Sequence, residues 1–312
     1  MGYSNNHRHW LPVVAAAALL SACGGEAEAV DADSNLDDDA IYAEIRQIAD
    51  AFMAHEPMPG FAHEMTLAEA YAWQDRLVEY MEPALGPVVG WKTGGHDPGP
   101  GFPTFPPGGI RGAILGSMIF PSGTAVRLDQ SRRGFLEADF AFRVGSDRIN
   151  DAQTDLATLA GLDAIIPFAE IPDPYYEEGT RSINGTIVAN MGSRMSFVGE
   201  PLMLEPTEEW IEKINSFTFA VHNEHGDEID AGTMAGWYEP LAVVRWIRDQ
   251  LRKSGKRLEP GQILSLGNIG ILRQLHEGSP RGPAYISNEF ILSYYGLSEK
   301  PLSVTIRVDR SQ

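Results

Sequence analysis

The chain has 312 residues, of which 43% are hydrophobic and 21% are charged, so it is long enough to bury a substantial core. It carries 43 Asp and Glu residues against 24 Lys and Arg residues. The resulting formal net charge of −19 argues against a broad nucleic-acid surface or electrostatic binding to anionic lipid. The single cysteine excludes an intramolecular disulfide and a multi-thiolate metal site.

The N-terminal residues are typical of a protein export signal. An apolar run over residues 11–20 follows the single charge of Arg8, and it is far shorter than the ~20 residues that a membrane-spanning helix needs. Residues 20–23 read Leu-Ser-Ala-Cys, which resembles the lipobox of bacterial lipoproteins. We therefore predict a signal peptide over residues 1–22 and a lipidated Cys23 that anchors the exported protein at the periplasmic face of the outer membrane. The alternative is an ordinary cleaved signal with an unrelated cysteine nearby.

An acidic segment follows the predicted signal peptide. Residues 24–39 contain seven acids and no basic residue. Such a segment buries too little apolar surface to offset the entropy of ordering it, which predicts a disordered tether. We assign residues 23–39 to this tether and residues 40–312 to one catalytic domain.

Two amphipathic helices are predicted at the start of the domain. Isoleucines at helical spacing predict a first helix over about residues 39–55. Thr66 with Glu69 three residues later forms a capping-box pattern, which predicts the start of a second helix. Pro83 and Gly86 predict its end.

Short strands are predicted after these helices. The Pro- and Gly-rich segment 96–109 predicts a loop, and residues 240–251 predict a late helix. There is no internal repeat, no glycine-rich phosphate loop and no dinucleotide fingerprint. Helices followed mostly by strands indicate an α+β fold that is rich in strands and has N-terminal helices. The predicted strands cover residues 87–93, 135–144, 165–171, 195–198, 217–222, 263–266, 290–295 and 302–308.

Three acids stand at positions that could hold a cation. Glu137 and Asp139 project from one face of a predicted strand, about 6–7 Å apart. Carboxylates this close repel each other unless a cation or a proton lies between them, and ligands that are all oxygen suit Mg²⁺, Mn²⁺ or Ca²⁺. Glu170 ends an apolar strand, where a carboxylate needs a partner or a metal. A solvated strand face is the alternative for the first two acids.

A series of short motifs runs through the domain in a characteristic order. The motifs are Gln74-Asp75, Gly90-Trp91-Lys92-Thr93-Gly94, Pro121-Ser122-Gly123, Glu137-Ala138-Asp139, Glu170-Ile171-Pro172-Asp173, Asn190 and Pro260-Gly261-Gln262-Ile263-Leu264-Ser265. Their order over about residues 65–309 resembles the 2-keto-4-pentenoate hydratase branch of the fumarylacetoacetate hydrolase superfamily.

This resemblance implies a β-rich, mixed-sheet fumarylacetoacetate-hydrolase-like domain that binds a divalent metal, with Mg²⁺ or Mn²⁺ the usual ions. It implies that Glu137, Asp139 and Glu170 are the metal ligands. It also implies that Lys92 lies at the active site and contacts the anionic substrate.

The remaining site assignments follow the same motifs, and some depart from the family pattern. Asn190 and Ser265 are assigned to substrate binding beside the lysine. Thr104 stands where the family carries an aspartate suited to proton transfer, so His96 and Asp97 are the candidates to replace that acid–base group.

Two smaller departures concern positions near the predicted ligands. Asp139 stands where Glu is usual, which is a mild change. Gly267 stands where a serine is expected.

The predicted function is that of a metal-dependent, hydratase-like lyase acting on a small 2-oxo or 2-hydroxydienoic acid through an enolate. Decarboxylation and C–C hydrolysis pass through the same enolate, so the metal site does not choose among them. The alternative is an exported lipoprotein that retains the fold as a non-catalytic binding module. We predict no nucleic-acid partner, and a homo-oligomer is left open.

Overall fold

The computed structural model describes residues 38–96, 105–277 and 284–311. The predicted signal peptide, Cys23, Asp97 and Thr104 lie outside these residues. From Asp38 onward the chain forms one compact unit. Within the described ranges, no helix combines the length and apolar character needed to cross a membrane.

The first two helices form because each has an apolar stripe and a defined start. Helix α1 (Asp38–Met53) buries its isoleucines, and its first turn includes the last two acids of the predicted tether. Helix α2 (Leu67–Leu85) begins with the capping box predicted from the sequence. The Thr66 N–H donates to the Glu69 carboxylate at 2.7 Å, and the Glu69 N–H donates to the Thr66 hydroxyl at 3.3 Å.

Helix α2 continues beyond the residue that was predicted to stop it. Pro83 lies inside the helix, which ends only at Leu85. Pro83 lacks only the hydrogen bond that its own N–H would make, and the helix has only two more residues after it, so the proline disturbs little of the helix. Gly86 then ends the helix with a positive φ of 83°, and its N–H donates to the Glu82 carbonyl at 2.8 Å.

The strands of the described residues form two sheets. The strands of the larger sheet are β1 (Val88–Gly94), β2 (Ile110–Leu115), β3 (Ile119–Pro121), β5 (Phe135–Val144), β6 (Leu162–Ile171), β7 (Met195–Val198), β8 (Leu202–Met203), β11 (Ile263–Ser265) and β12 (Arg273–Gln274). Their order in the sheet is β2-β1-β11-β5-β6-β7-β3, with β12 paired to β5 and β8 paired to β6.

The strands of the smaller sheet are β4 (Ala125–Arg127), β9 (Thr218–Asn223), β10 (Glu228–Thr233), β13 (Glu289–Tyr295) and β14 (Leu302–Asp309). Their order is β10-β9-β13-β14-β4.

Four further helices lie between the strands. They are α3 (Asp155–Leu159), α4 (Ile183–Val188), α5 (Glu208–Ser216) and α6 (Pro240–Lys253). Helix α6 covers the segment in which the sequence predicts a late helix, and α3 to α5 were not predicted. The α+β, strand-rich fold with N-terminal helices is confirmed.

The core between these elements is apolar and contains aromatic rings in edge-to-face contact. Phe140 on β5 contacts Phe217 with ring centroids 5.0 Å apart and planes at 81°. Close backbone contact also requires a glycine on β1, because a Cβ at Gly90 would lie 2.3 Å from the Ile263 carbonyl oxygen. This approach brings β1 and β11 together beside β5, where the candidate site forms.

Candidate functional site

Strand register brings the predicted site residues onto one face of the larger sheet. Glu137 on β5 lies opposite Glu170 on β6, and Asp139 follows two residues later on the same face of β5. Ser265 on β11 pairs with the β5 residue at position 141, and Lys92 on β1 pairs with Ser265. Since paired residues point to the same side, three acids, a lysine and a serine meet on this face.

Asp139 is held in a fixed orientation by donors from three directions. Its Oδ1 accepts a hydrogen bond from the Phe140 N–H at 2.6 Å. Its Oδ2 accepts from the Ser265 hydroxyl and, at 3.2 Å, from the Gly267 N–H. Asp139 is 0% exposed, so the alternative of a solvated strand face does not hold for this carboxylate.

Lys92 and Glu170 form a buried ion pair beside Asp139. The Lys92 ammonium donates to Oε2 of Glu170, and both residues are only 2% exposed. The other carboxylate oxygen of Glu170, Oε1, is buried without a hydrogen-bond partner among the described residues. The hydroxyl of Ser196, which lies opposite Glu170 on β7, is likewise buried and unpartnered in that part of the chain. Unpaired buried oxygens at one place point to a missing donor, water or cation.

The acids outnumber the lysine in this group, and the pKa values of Asp139 and Lys92 are shifted as a result. Burial and the nearby charge of Glu170 raise the pKa of Asp139 well above the ordinary carboxyl range, although hydrogen bonds from Ser265 and Phe140 oppose the shift. Burial alone would lower the pKa of Lys92. The charges of Glu170, Glu137 and Asp139 outweigh that effect, so the pKa of Lys92 is raised. Three carboxylates against one ammonium leave an excess of two negative charges when all four are ionised.

The carboxylate oxygens are suitable ligands for a divalent cation, although the side chains are not arranged as they would be around a bound metal ion. Within the described ranges, no three His, Cys, Asp or Glu side chains lie together closely enough to hold a metal ion. The three carboxylates nevertheless offer oxygen ligands only, which is the preference of Mg²⁺ and Mn²⁺. The unpartnered Glu170 Oε1 and the excess negative charge both favour a bound cation.

A cavity of about 830 Å³ lies beside this group of residues. Lys92 and Glu137 line it, and so does His96, which follows β1. Much of the remaining wall is apolar and aromatic, formed by Phe105, Ile110, Phe135, Met191, Trp237, Tyr238, Leu266, Ile271 and Leu272. A concave, mostly apolar site with a few convergent polar groups is the usual form of a small-molecule pocket.

His96 lies in the cavity wall between two aromatic rings. Its ring centroid is 5.8 Å from that of Tyr238 and 5.4 Å from that of Trp246, which it meets edge-on. Its Nε2 lies 3.0 Å from the Thr93 hydroxyl. Burial lowers the pKa of His96 to about 4, so the ring is neutral at neutral pH. A neutral imidazole on a cavity wall can accept or donate a proton.

The two residues assigned to substrate binding beside Lys92 occupy different surroundings. Ser265 is fully buried, and its hydroxyl donates to Asp139. Asn190 has both ends of its amide bound to the backbone of Ala113, with its Oδ1 accepting at 2.6 Å and its Nδ2 donating at 2.9 Å. Neither residue is among the described residues that line the cavity. The geometry gives both a supporting position behind the cavity wall.

The unexpected glycine at position 267 has a clear structural reason. Gly267 has a positive φ of 95°, and a Cβ there would lie 2.8 Å from the Thr93 carbonyl oxygen. A serine would therefore be strained in this backbone. The N–H of Gly267 instead reaches Asp139, so a backbone donor contacts the carboxylate here.

Sequence reasoning missed several residues that shape the site. Tyr238 and Arg181 line the cavity, but no motif marked them.

Asp173, the last residue of the Glu-Ile-Pro-Asp motif, accepts hydrogen bonds from the backbone N–H groups of Arg132 at 3.0 Å and Arg133 at 2.7 Å. It also forms an ion pair with the buried Arg194 at 3.3 Å. Its burial could have been suspected from the apolar strand before it, whereas its partners could not.

Comparisons with solved structures agree with the fold described above. The chain is similar to 4-oxalocrotonate decarboxylase from Pseudomonas putida G7 complexed with magnesium and adipate. The TM-score is 0.69 at 19% identity, covering 88% of this chain and 99% of that one. The same enzyme complexed with calcium and acetate gives a TM-score of 0.68 at 19% identity and the same coverage. Fumarylacetoacetate hydrolase from Exiguobacterium antarcticum is more distant, with a TM-score of 0.47 at 12% identity, covering 73% of this chain and 77% of that chain.

The similarity to these two decarboxylase complexes shows that the chain shares their fold. No protein-family model and no curated protein sequence matches the chain. The particular neighbour with the TM-score of 0.69 is a decarboxylase, and at 19% identity the likeness shows the fold alone.

Proposed function

We propose that this protein is a divalent-metal-dependent lyase that acts on a small 2-oxo or 2-hydroxydienoic acid. The observation that carries the proposal is that Glu137, Asp139 and Glu170 share one face of the larger sheet beside a buried lysine. Glu137 lines an apolar cavity, and one carboxylate oxygen of Glu170 has no partner among the described residues. Structural neighbours of the same fold that are complexed with magnesium or calcium support the choice of metal.

The three acids are the residues that would hold the cation. When bound, a divalent cation supplies electrostatic stabilisation to negative charge that develops as an enolate forms. Lys92 keeps its proton, because its pKa is raised, and it places a positive charge at the edge of the cavity. It thereby favours an anionic substrate and orients the substrate's carboxylate toward the base of the site.

Proton handling falls to groups on the cavity wall. His96 is neutral at neutral pH because burial lowers its pKa, so it can accept a proton from a bound 2-oxo acid or from water. Tyr238 keeps its hydroxyl proton, because burial and the charge of Asp139 raise its pKa well above the usual value. Phe135 and Ile110 line the same cavity and limit the access of water.

Metal binding and its dependence on the acids can be tested by thermal unfolding with Mn²⁺ and oxalate. Saturating ligand at about 100 times Kd stabilises a protein by about 2.7 kcal/mol, so the wild type should melt at a higher temperature with Mn²⁺. Oxalate should raise the melting temperature further only when Mn²⁺ is present. Glu137→Gln should fold normally, because the residue is half-buried at the cavity, and should lose this stabilisation. Glu170→Gln should lose it too.

The control is Glu209→Gln, which removes an exposed carboxylate on α5 and should respond to Mn²⁺ as the wild type does. Exchange of the C3 protons of a 2-oxo acid in deuterated water, followed by NMR, then separates an enzyme from a binding module. Metal-dependent stabilisation that survives both site substitutions would refute the proposed ligand set.

Hydration and decarboxylation remain two candidate reactions for this site. The sequence resemblance favours a hydratase-like reaction, whereas the decarboxylase with the TM-score of 0.69 favours loss of CO₂. Assaying a 2-hydroxydienoate for hydration and a 2-oxo-enedioate for CO₂ release distinguishes the two. If metal and oxalate bind but no C3 exchange occurs, the non-catalytic binding module is the better account.

We also propose that the protein is exported and anchored through lipid on Cys23. The support is the lipobox-like sequence and the fact that the chain has no other thiol. Cys23→Ala should move the protein from the membrane fraction to the soluble fraction on cell fractionation. A wild-type protein that is soluble and retains residues 1–22 would contradict this localisation.

A further inference from the structure

The two fully buried carboxylates of the site each lie beside a serine on a neighbouring strand. Ser265 on β11 donates a hydrogen bond to Asp139 on β5. Ser196 on β7 pairs directly with Glu170 on β6 and is only 1% exposed. The Ser196 hydroxyl has no hydrogen-bond partner in the part of the chain that the structure describes. One serine is therefore bound to its neighbouring carboxylate, and the other is not.

A donor and an acceptor that could satisfy each other lie at the pair of Glu170 and Ser196. Oε2 of Glu170 accepts from the Lys92 ammonium, whereas Oε1 is buried and lacks a partner among the described residues. Directly paired residues of antiparallel strands point to the same face, with their Cβ atoms about 4.5–5.5 Å apart. Side-chain rotation can therefore bring the Ser196 hydroxyl to Oε1, although the structure shows no hydrogen bond between them.

The strand pairing identifies Ser196 as the neighbour that can donate to Glu170. The residues paired directly with Glu170 are Glu137 on β5 and Ser196 on β7. An ionised Glu137 carries only acceptor oxygens, whereas a serine hydroxyl carries one rotatable proton. The other residues of β7 are Met195, Phe197 and Val198, so Ser196 is the one polar residue of this strand. A buried hydroxyl among apolar residues is costly unless it forms a hydrogen bond.

We propose that Ser196 is a positioning residue for the cation, whose hydroxyl donates to Oε1 of Glu170 when the three acids hold a divalent ion. This inference rests on the proposed function, which assigns Glu137, Asp139 and Glu170 as the ligands. In the described ranges these acids are not close enough together to hold a metal ion, so Glu170 has to turn as the ion binds. A donor on β7 would then fix the orientation of its carboxylate, as Ser265 fixes that of Asp139. Groups that orient a metal ligand in this way raise metal affinity by about 10–100-fold.

The first test compares metal affinity with stability in Ser196→Ala. Calorimetric titration of the full chain with Mn²⁺ should give a Kd about tenfold higher than that of the wild type. Urea unfolding without added metal should give a free energy of unfolding no lower than that of the wild type, because the substitution removes a hydroxyl that has no partner to lose. A purely structural serine would instead lower the stability and leave the Kd for Mn²⁺ unchanged.

Two larger variants assign the effect to the hydroxyl rather than to the volume of the side chain. Ser196→Thr and Ser196→Val have nearly the same shape, and they differ in the presence of the hydroxyl. Any strain from the added carbon atoms is common to both, so Ser196→Thr should bind Mn²⁺ about tenfold more tightly than Ser196→Val.

The control is Ser193→Ala, three residues earlier in the chain. Ser193 is also 1% exposed, but its hydroxyl lies 3.7 Å from the Met118 sulfur rather than beside a carboxylate. This variant should bind Mn²⁺ with the affinity of the wild type.

The outcomes separate this inference from the proposed function. If the wild type binds Mn²⁺, and neither Ser196→Ala nor the exchange of Thr for Val at this position changes the affinity, the assignment of Ser196 is overturned and the metal site stands. If the wild type does not bind Mn²⁺, the proposed function fails, and the role of Ser196 fails with it.

Discussion

Burial determines what a single histidine can contribute at physiological pH. His96 lies between Tyr238 and Trp246, and this burial, partly opposed by a hydrogen bond with the Gly108 backbone, lowers its pKa from 6.5 to about 4. An exposed loop histidine would be partly charged at neutral pH. In the folded protein His96 is neutral instead, which suits a proton acceptor on a cavity wall.

The lowered pKa of His96 predicts that stability falls in acid. The unfolded chain takes up the His96 proton near pH 6.5, whereas the folded chain takes it up only near pH 4. The contribution of the neutral ring to stability is therefore fully present above pH 6.5 and is lost as pH falls from 6.5 to 4. It amounts to about 3 kcal/mol. Urea unfolding at several pH values should show a shallower loss of stability across this window for His96→Gln than for the wild type. Equal slopes for the two proteins would show that His96 titrates normally.

Other single residues show how a predicted role depends on neighbours that the sequence does not reveal. Lys92 was assigned to the site from its motif, and the structure places it in the cavity wall with a buried carboxylate partner. Asn190 came from the same resemblance, yet its amide is bound to the backbone of β2. Since β2 was not among the predicted strands, this partner could not have been anticipated.

At the scale of elements, the clearest sequence patterns were interpreted correctly. Strands β5 and β7 have the predicted bounds, because apolar residues and turn signals frame them sharply. Strand β6 begins at Leu162, three residues before the predicted start. The missed elements, such as β2 and β10, have little alternation of apolar and polar residues, and β2 is buried throughout.

Pairing between elements explains why the site could be predicted only in part. The spacing of Glu137 and Asp139 on one strand is visible in the sequence, because side chains alternate along β5. The position of Glu170 opposite Glu137 depends on the β5–β6 register. The approach of Lys92 depends on the parallel pairing of β1 with β11, which places Lys92 opposite Ser265. Long-range register of this kind is a property of the folded sheets.

At the scale of the whole molecule, one buried cation connects the helical layer to the larger sheet. Arg111 on β2 is 0% exposed and donates to Gln74 on α2 at 2.8 Å and to Ser254, after α6, at 3.0 Å. Its guanidinium also lies over the rings of Tyr71 at 4.6 Å and Trp91 at 5.3 Å. Three elements far apart in the sequence therefore meet at this side chain.

Arg111→Met is expected to destabilise the protein by about 2 kcal/mol, because it leaves the buried Gln74 carbonyl oxygen without a donor. The cost is less than that of stranding a buried charge, since Asp75, 3.6 Å from Arg111, keeps Lys256 as a partner at 2.8 Å. Urea denaturation, with an unchanged m-value, measures this loss of free energy of unfolding.

Two further variants test whether Arg111 stabilises the fold through its hydrogen bonds to Gln74 and Ser254 or through its charge. Arg111→Lys retains the charge but should recover little stability, because a compact ammonium cannot reach Gln74 and Ser254 together while covering both rings. Gln74→Leu also removes the Nε2 donor to the backbone carbonyls of Arg111 and Ile187. In that background, however, Arg111→Met strands no Gln74 oxygen, so it should cost less than it does in the wild type. Full stability in Arg111→Lys would contradict the bridging role, and so would strict additivity in the double variant. The larger sheet would then hold its helices through apolar packing alone.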